Sequence, residues 1–230
     1  MPSARRAWCV FRAGQILHRR VGAPSFLPPL LFFTDPQRVR DPACIAAGLP
    51  RGSGLVYRSF GASDALPLAR KLARICRRRG LILLIGADAE LARRSKADGL
   101  HLPERLMRNH AAPGQSLLTA AAHGPRALQR ARHLGAAAAV LSPVFASRSP
   151  SANTPLGQRR AAALARSAGL PVYALGGIGL GSLALPGRSA HQNLKADSIR
   201  TDEVDSRGVV PGLARSARLS RPPTRRRGVN

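Results

Sequence analysis

From Pro28 onward the chain alternates short, unbroken apolar runs with Arg- and Ala-rich segments whose apolar positions recur at helical spacing. Leu30, Leu31, Phe32 and Phe33 form the first run and lead into the polar pair Thr34 and Asp35. Gly54 to Tyr57 is the second run and ends at Arg58. Ser63 reads as the N-cap of a helix carrying Leu66, Ala69, Leu72, Ala73 and Ile75 on one face, closed by Arg77, Arg78, Arg79 and Gly80. Leu81 to Ile85 predicts a buried strand, Ala89 to Lys96 a short helix, and Asp98 to Leu102 a further strand. The rhythm then repeats: strand Ser116 to Ala121, helix Pro125 to Leu134, strand Ala137 to Leu141, helix Arg159 to Ala168, strand Pro171 to Leu175.

Strands that are apolar throughout, separated by amphipathic helices, indicate parallel β-α units covered on both faces. Seven such strands in about 150 residues suit a (β/α) barrel or a doubly wound sheet. The pattern starts near residue 28 and ends near 179, which divides the chain into a basic N-terminal extension (1–27), a β/α domain (28–179) and a tail (180–230). Beyond Ile178 the weak pair Val209 and Val210 is the nearest thing to a strand, amid Ser, Arg, Pro and Gly. Such a stretch buries too little apolar surface to offset its ordering entropy, so the tail is expected to be disordered.

Composition narrows the core chemistry. Only 4% of residues are aromatic against 44% hydrophobic, so Leu, Ala, Val and Ile must fill the interior. No run approaches the roughly 18 apolar residues of a membrane span. The formal charge of +26 comes from 37 Lys and Arg against 11 Asp and Glu. A polyanion partner is the usual reading of such an excess. Here the arginines are scattered over the whole length among Ala, Gly and Pro, and no aromatic residues are interleaved for base stacking, which argues for a compositional habit over nucleic-acid binding. Cys9, Cys44 and Cys76 are odd in number and widely spaced, without metal-ligand spacing, and suit a reduced cytoplasmic setting.

Four segments at the ends of successive strands carry more specific information: Asp98-Gly99-Leu100-His101-Leu102, the loop Ser142-Pro143-Val144-Phe145-Ala146-Ser147-Arg148-Ser149, Pro155-Leu156-Gly157, and Leu175-Gly176-Gly177-Ile178. In this order they resemble the thiamine-phosphate synthase family, with its G-A-D-G-V-H-L strand, G-P-V-F-x-T-x-T-K loop, P-L-G and V-x-A-I-G-G-I strand. The resemblance covers about seven of eight β-α units. It implies a TIM-type (β/α) barrel, incomplete by one unit, with disordered N- and C-terminal extensions. The implied activity joins hydroxymethylpyrimidine diphosphate to a thiazole phosphate, releasing diphosphate with help from Mg²⁺. It further implies small phosphorylated substrates as partners, and no membrane.

Adjacent glycines let backbone N–H groups approach an anion, and barrels often bind phosphate after their last strands, so Gly176 and Gly177 are candidate phosphate contacts. By resemblance, Ser147 and Ser149 stand where two threonines contact the thiazole phosphate, and Arg148 adds a cation. Arg58 matches the arginine of a Q-x-R-x-K diphosphate site, where a guanidinium can hold oxygens through parallel hydrogen bonds. His101 matches a strand-4 histidine near the pyrimidine. His123 matches the histidine of a strand-5 S-x-H motif, which in related thiazole tautomerases moves protons.

The chain departs from the pattern at several polar positions. Val56 and Phe60 stand at the glutamine and lysine of the diphosphate motif, Pro150 at the loop lysine, and Ala121 at the synthase serine. Gly86-Ala87 replace the Asn-Asp pair and Leu106 the second aspartate that hold Mg²⁺ in the family, with Asp88, Glu90 and Glu104 as nearby carboxylates. Three readings follow: a divergent synthase, a tautomerase-like or non-catalytic relative that binds a phosphorylated thiazole, and a basic nucleic-acid-associated protein. The likeness ends near Gly179, as a reading-frame change or a fused unrelated end would produce. No metal-ligand set and no oligomeric state follows from the sequence.

Overall fold

Seven strands pair in chain order, every neighbour parallel to the next: β1 (Leu31–Phe33), β2 (Gly54–Tyr57), β3 (Ile82–Gly86), β4 (Gly99–Leu102), β5 (Leu117–Ala122), β6 (Ala138–Leu141) and β7 (Val172–Ala174). The structure is a computed structural model, and it describes residues 4–36, 41–109, 117–146 and 154–178. Helices α2 (Pro42–Gly48), α3 (Ala65–Arg79), α4 (Ala89–Ser95), α5 (Pro125–His133) and α6 (Gln158–Ser167) fill the crossovers, with a 3₁₀ turn, Glu104–Asn109, between β4 and β5. This is the β-α alternation expected from the apolar runs.

The pleat sends alternate residues to opposite faces. Leu55, Tyr57, Leu83 and Ile85 face outward into one cluster with Ala69, Leu72, Ala73 and Cys76 of α3. Leu100, Leu102, Leu118, Ala120, Ala139 and Leu141 face outward into a second cluster with α5. The intervening positions, Val56, Leu84, His101, Thr119 and Val140, are buried on the inner face.

The sheet curls. Phe33 on β1 meets His101 on β4 edge-on, ring centroids 5.0 Å apart at 81°. In a flat sheet those strands would stand about 14 Å apart, three spacings of about 4.8 Å. Tyr173 on β7 also donates its phenol O–H to the Pro28 carbonyl ahead of β1, at 2.6 Å. Among the described residues β1 and β7 are not paired with each other, so the barrel is nearly closed and holds seven strands.

The N-terminal extension departs from expectation. Ala4–Arg20 forms helix α1, with Phe11 buried and Trp8 exposed. Ala and Arg are strong helix formers, and His18, Arg19 and Arg20 sit where cations favour the helix C-terminus. Helix α2 is also unmarked by periodicity, its seven residues carrying no charged side chain to set a polar face against an apolar one. Asp41 caps it, accepting from the N–H groups of Ala43 (2.8 Å) and Cys44 (3.2 Å), and Pro42 opens the first turn. Helix α3 begins at Ala65, so Asp64 and not Ser63 takes the cap position, without a side-chain hydrogen bond. The basic tail 180–230 and Gly179 lie outside the described residues.

Candidate functional site

Of the residues singled out from sequence, Arg58, His101, His123, Gly176 and Gly177 are described, and they lie at or just past the C-terminal ends of their strands, the rim where barrels of this type carry their chemistry. Arg58 follows β2 directly. Thr34, just beyond β1, holds it from two sides: Thr34 Oγ1 accepts from the Arg58 backbone N–H at 2.9 Å, and the Thr34 carbonyl accepts from Arg58 Nε at 2.6 Å. Asp35 Oδ2 lies 3.5 Å from the same guanidinium, which also stands 5.1 Å over the Phe60 ring. A Cβ on Gly86, at the end of β3, would come within 3.0 Å of Arg58 Cγ. A side chain at 86 would therefore press on Arg58.

His101 belongs to the same quarter of the rim. It is buried on the inner face, its Nδ1 2.9 Å from Thr119 Oγ1. Burial, reinforced by the positive charge of Arg58, lowers its pKa from the ordinary 6.5 to about 4. The imidazole is thus neutral near pH 7, able to donate or accept one hydrogen bond and to stack, but carrying no charge. Phe60 and Ala87, just past β2 and β3, both hold left-handed backbone (φ 49° and 68°), a conformation costly for side chains other than glycine and common around binding sites.

Across the rim, three of the motif segments form one hydrogen-bonded unit. Val144 N–H donates to the Leu175 carbonyl at 2.9 Å and Phe145 N–H to the Gly176 carbonyl at 3.0 Å. On the other side, Leu156 N–H donates to Pro143 O and Gly157 N–H to Val144 O, each at 2.9 Å. Gly176 and Gly177 both have positive φ (92° and 62°). A Cβ on Gly177 would come within 2.6 Å of both the Ala146 carbonyl oxygen and Phe145 Cβ, so glycine is required there for space as well as for conformation. Among the described residues, neither glycine's N–H has a backbone acceptor. Ser147, Arg148 and Ser149 lie outside the described residues, although Ala146, which precedes them, is packed against Gly177.

His123 follows β5, two residues beyond Ala121 and four beyond Thr119. It does not join Arg58 and His101. Its Nδ1 lies 2.8 Å from Glu104 Oε2, which also accepts from the His123 backbone N–H at 3.1 Å. Glu104 Oε1 accepts from Arg130 of α5.

Among the described residues, the carboxylates near the family's Mg²⁺ positions in sequence, Asp88, Glu90 and Glu104, do not converge on one point. That ion needs several hard oxygen ligands in near-octahedral array. Asp88 Oδ1 is spent capping α4, accepting from Leu91 N–H at 2.8 Å. Glu90 gives both oxygens to Arg93, and Glu104 serves His123 and Arg130. Among the described residues no group of three or more His, Cys, Asp or Glu side chains converges to hold a metal. Those helix-capping and ion-pair roles explain why carboxylates close in sequence are not close to a common point.

Sequence reasoning passed over Thr34 as a ligand of Arg58 and Thr119 as the partner of His101. The only available signal was a polar residue at or just past a strand within an otherwise apolar inner face. In the sequence Glu104 stands out only as one of three carboxylates near the family's metal positions, and nothing there points to His123 or Arg130.

Comparison with known proteins gives a consistent outcome. The sequence model of the thiamine monophosphate synthase family matches residues 30–186. A thiamine-phosphate synthase of Prochlorococcus marinus is 29% identical over 146 residues, 60% of this chain and 41% of that protein. One from Roseiflexus is 29% identical over 149 residues, 61% of this chain and 63% of that protein. The chain thus spans about half the length of these curated relatives. Among solved structures, a thiamine phosphate pyrophosphorylase from Pyrococcus furiosus matches with a TM-score of 0.56 at 18% identity, covering 67% of this chain and 77% of that one, a likeness of fold. With the family model matching more than half of the chain, on a barrel whose rim carries the family's motif segments, this protein belongs to the thiamine monophosphate synthase family.

Proposed function

We propose that the chain is a thiamine-phosphate synthase-type transferase, joining hydroxymethylpyrimidine diphosphate to a thiazole phosphate with loss of diphosphate. The observation that carries this reading is the hydrogen-bonded unit of 143–146, 156–157 and 175–177, in which, among the described residues, the Gly176 and Gly177 N–H groups have no backbone acceptor. Consecutive amides of that kind suit a phosphate, here the thiazole phosphate, with Ser147, Arg148 and Ser149 as its further contacts. Arg58, held by Thr34 and Asp35, brings positive charge to the diphosphate. Neutral His101, against Phe33, offers a hydrogen bond and an aromatic edge to the uncharged pyrimidine. Mg²⁺ would shield the leaving diphosphate in such chemistry, but the described carboxylates do not fit it, and no step is routed through it.

All three cysteines are free, which fits a reducing, cytoplasmic setting, and no helix among the described residues is long and apolar enough to cross a membrane. The test is to incubate the full chain with both precursors, with and without Mg²⁺, and follow diphosphate release together with thiamine phosphate formation. Product from both precursors, absent with either one alone, is the expected outcome. A folded chain that yields no product and binds neither thiazole phosphate nor diphosphate by calorimetry would sink the reading.

A further inference from the structure

Helix α1 lies outside the span matched by the family model, residues 30–186. Apart from Phe60, the large hydrophobic side chains exposed among the described residues, Trp8, Ile16, Leu17, Val21 and Phe26, all fall within residues 8–26. The same part of the chain is free of acid: no Asp or Glu precedes Asp35, whereas Arg5, Arg6, Arg12, Arg19 and Arg20 do. The two kinds of residue are interleaved. Trp8, Arg12, Ile16 and Arg20 stand four residues apart, so they share one ridge of the helix, and all four are exposed. The Arg12 guanidinium stands 4.9 Å over the Trp8 ring. The other side of the helix is already taken: Phe11 is buried, and a Cβ on Gly14 would collide with the Pro29 carbonyl oxygen. A Cβ on Gly52 would lie 3.8 Å from the Phe11 ring. Gly52 precedes β2 as Pro29 precedes β1, so α1 lies at the N-terminal ends of these strands, away from the rim.

We propose that α1 is a docking face for an anionic phospholipid surface. The helix lies flat on that surface, with Trp8 and Ile16 at the boundary between headgroups and acyl chains and Arg12, Arg19 and Arg20 against the phosphates. Charge complementarity selects an anionic partner, and the exposed apolar side chains select one that also offers hydrocarbon. Tryptophan and arginine both suit that boundary. One has an apolar ring that carries an N–H, the other an apolar stem below a charged head. Duplex nucleic acid would satisfy the arginines through its phosphates and leave Ile16, Leu17, Val21 and Phe26 facing water. A groove on another protein takes a helix by its apolar stripe, and here the side that bears Phe11 is turned to the barrel. The contact is peripheral, since no helix among the described residues is long and apolar enough to cross a membrane. It lies away from the rim and stands independently of the reaction proposed there.

Trp8 is the chain's single tryptophan, so its emission reports on this helix alone. The full chain is mixed with vesicles of phosphatidylglycerol and phosphatidylcholine in equal parts, with vesicles of phosphatidylcholine alone, and with duplex DNA. Flotation with the vesicles and Trp8 emission are followed together. The anionic vesicles are expected to carry the chain and shift Trp8 emission to the blue, with quenching by brominated acyl chains, and the neutral vesicles to do neither. Ile16→Ser with Leu17→Ser leaves the charge unchanged and should weaken vesicle binding by about tenfold or more. Arg12→Gln with Arg20→Gln should do the same by about tenfold or more. Arg159→Gln with Arg160→Gln, at the exposed start of α6 where the chain comes from the rim, removes as much charge and should change binding by less than about twofold. Absence of binding to anionic vesicles, or binding without a blue shift, overturns the proposal whether or not a variant folds. A Trp8 shift with DNA and none with vesicles overturns it in favour of nucleic acid. Wild-type affinity in the serine variant, or equal losses in the two arginine variants, overturns it as well, because charge spread over the whole chain would then suffice.

Discussion

The Arg58 guanidinium and the His101 imidazole share one quarter of the barrel mouth, and the cation adds to burial in keeping that imidazole unprotonated. The consequence for stability has a definite sign. Unfolded, His101 takes up a proton near its ordinary 6.5, whereas folded it resists until about 4. Between those values the unfolded chain binds more protons, so stability falls as pH drops from about 6.5 toward about 4. At 1.36 kcal/mol per unit the full loss is on the order of 3 kcal/mol. Urea unfolding at a series of pH values should show it, and His101→Asn should remove that part of the slope. An unchanged slope in the variant would assign the pH dependence to other groups.

Arg58 offers a second check. Its Nε bonds the Thr34 carbonyl while its terminal nitrogen approaches Asp35, a planar fork used from two directions. Lysine keeps the charge without the fork. Hydrogen bonds to charged groups contribute about 1.5 to 3 kcal/mol, or roughly ten- to a hundredfold in binding. Both Arg58→Lys and Arg58→Ala are therefore expected to weaken diphosphate binding by at least about tenfold, measured by calorimetry with inorganic diphosphate. Full affinity in Arg58→Lys would mean that only charge matters there.

The rim glycines bear on the phosphate reading. Gly177→Ala forces a Cβ against the Ala146 carbonyl and Phe145 in a left-handed conformation, at about 1 to 2 kcal/mol for the backbone alone. The loop should shift and binding of thiazole phosphate should fall by about tenfold or more. Gly48→Ala, in the last turn of α2 with nothing within 4 Å of the added Cβ, serves as the control and should leave binding intact. Equal affinity in wild type and Gly177→Ala would detach the glycines from the ligand.

How legible this was in the sequence varied with the physical signal. The strands carried unbroken apolar runs because both faces are covered, and β2 appeared at its observed bounds, Gly54–Tyr57. The rim motifs were legible because each is local: a Gly-Gly, a Pro-Leu-Gly, a histidine in a strand. Helix α2 was hidden because its seven residues carry no charged side chain to mark a polar face, and α1 because Arg and Ala obscure an apolar stripe of which, among the described side chains, only Phe11 is buried. The link from Glu104 to His123 spans 19 residues and two elements, so spacing could not reveal it. The same applies to Thr34 and Arg58, 24 residues apart.

The seam between β7 and the start of β1 yields the last prediction. Among the described residues both strands end the sheet, and edge strands without partners open most readily. Tyr173 crosses the seam: its phenol, pushed to a higher pKa by burial, donates to the Pro28 carbonyl. Tyr173→Phe removes the donor while the ring still packs, leaving that partly buried carbonyl without its partner, at about 1 to 3 kcal/mol. If the bond holds the seam, the loss should be local. Hydrogen exchange should quicken at the amides of β7 while those of β4, in the middle of the sheet, keep their protection relative to global stability. Exchange that rises equally in β4 and β7 would mean that Tyr173 contributes to the whole barrel and that the seam opens only with it.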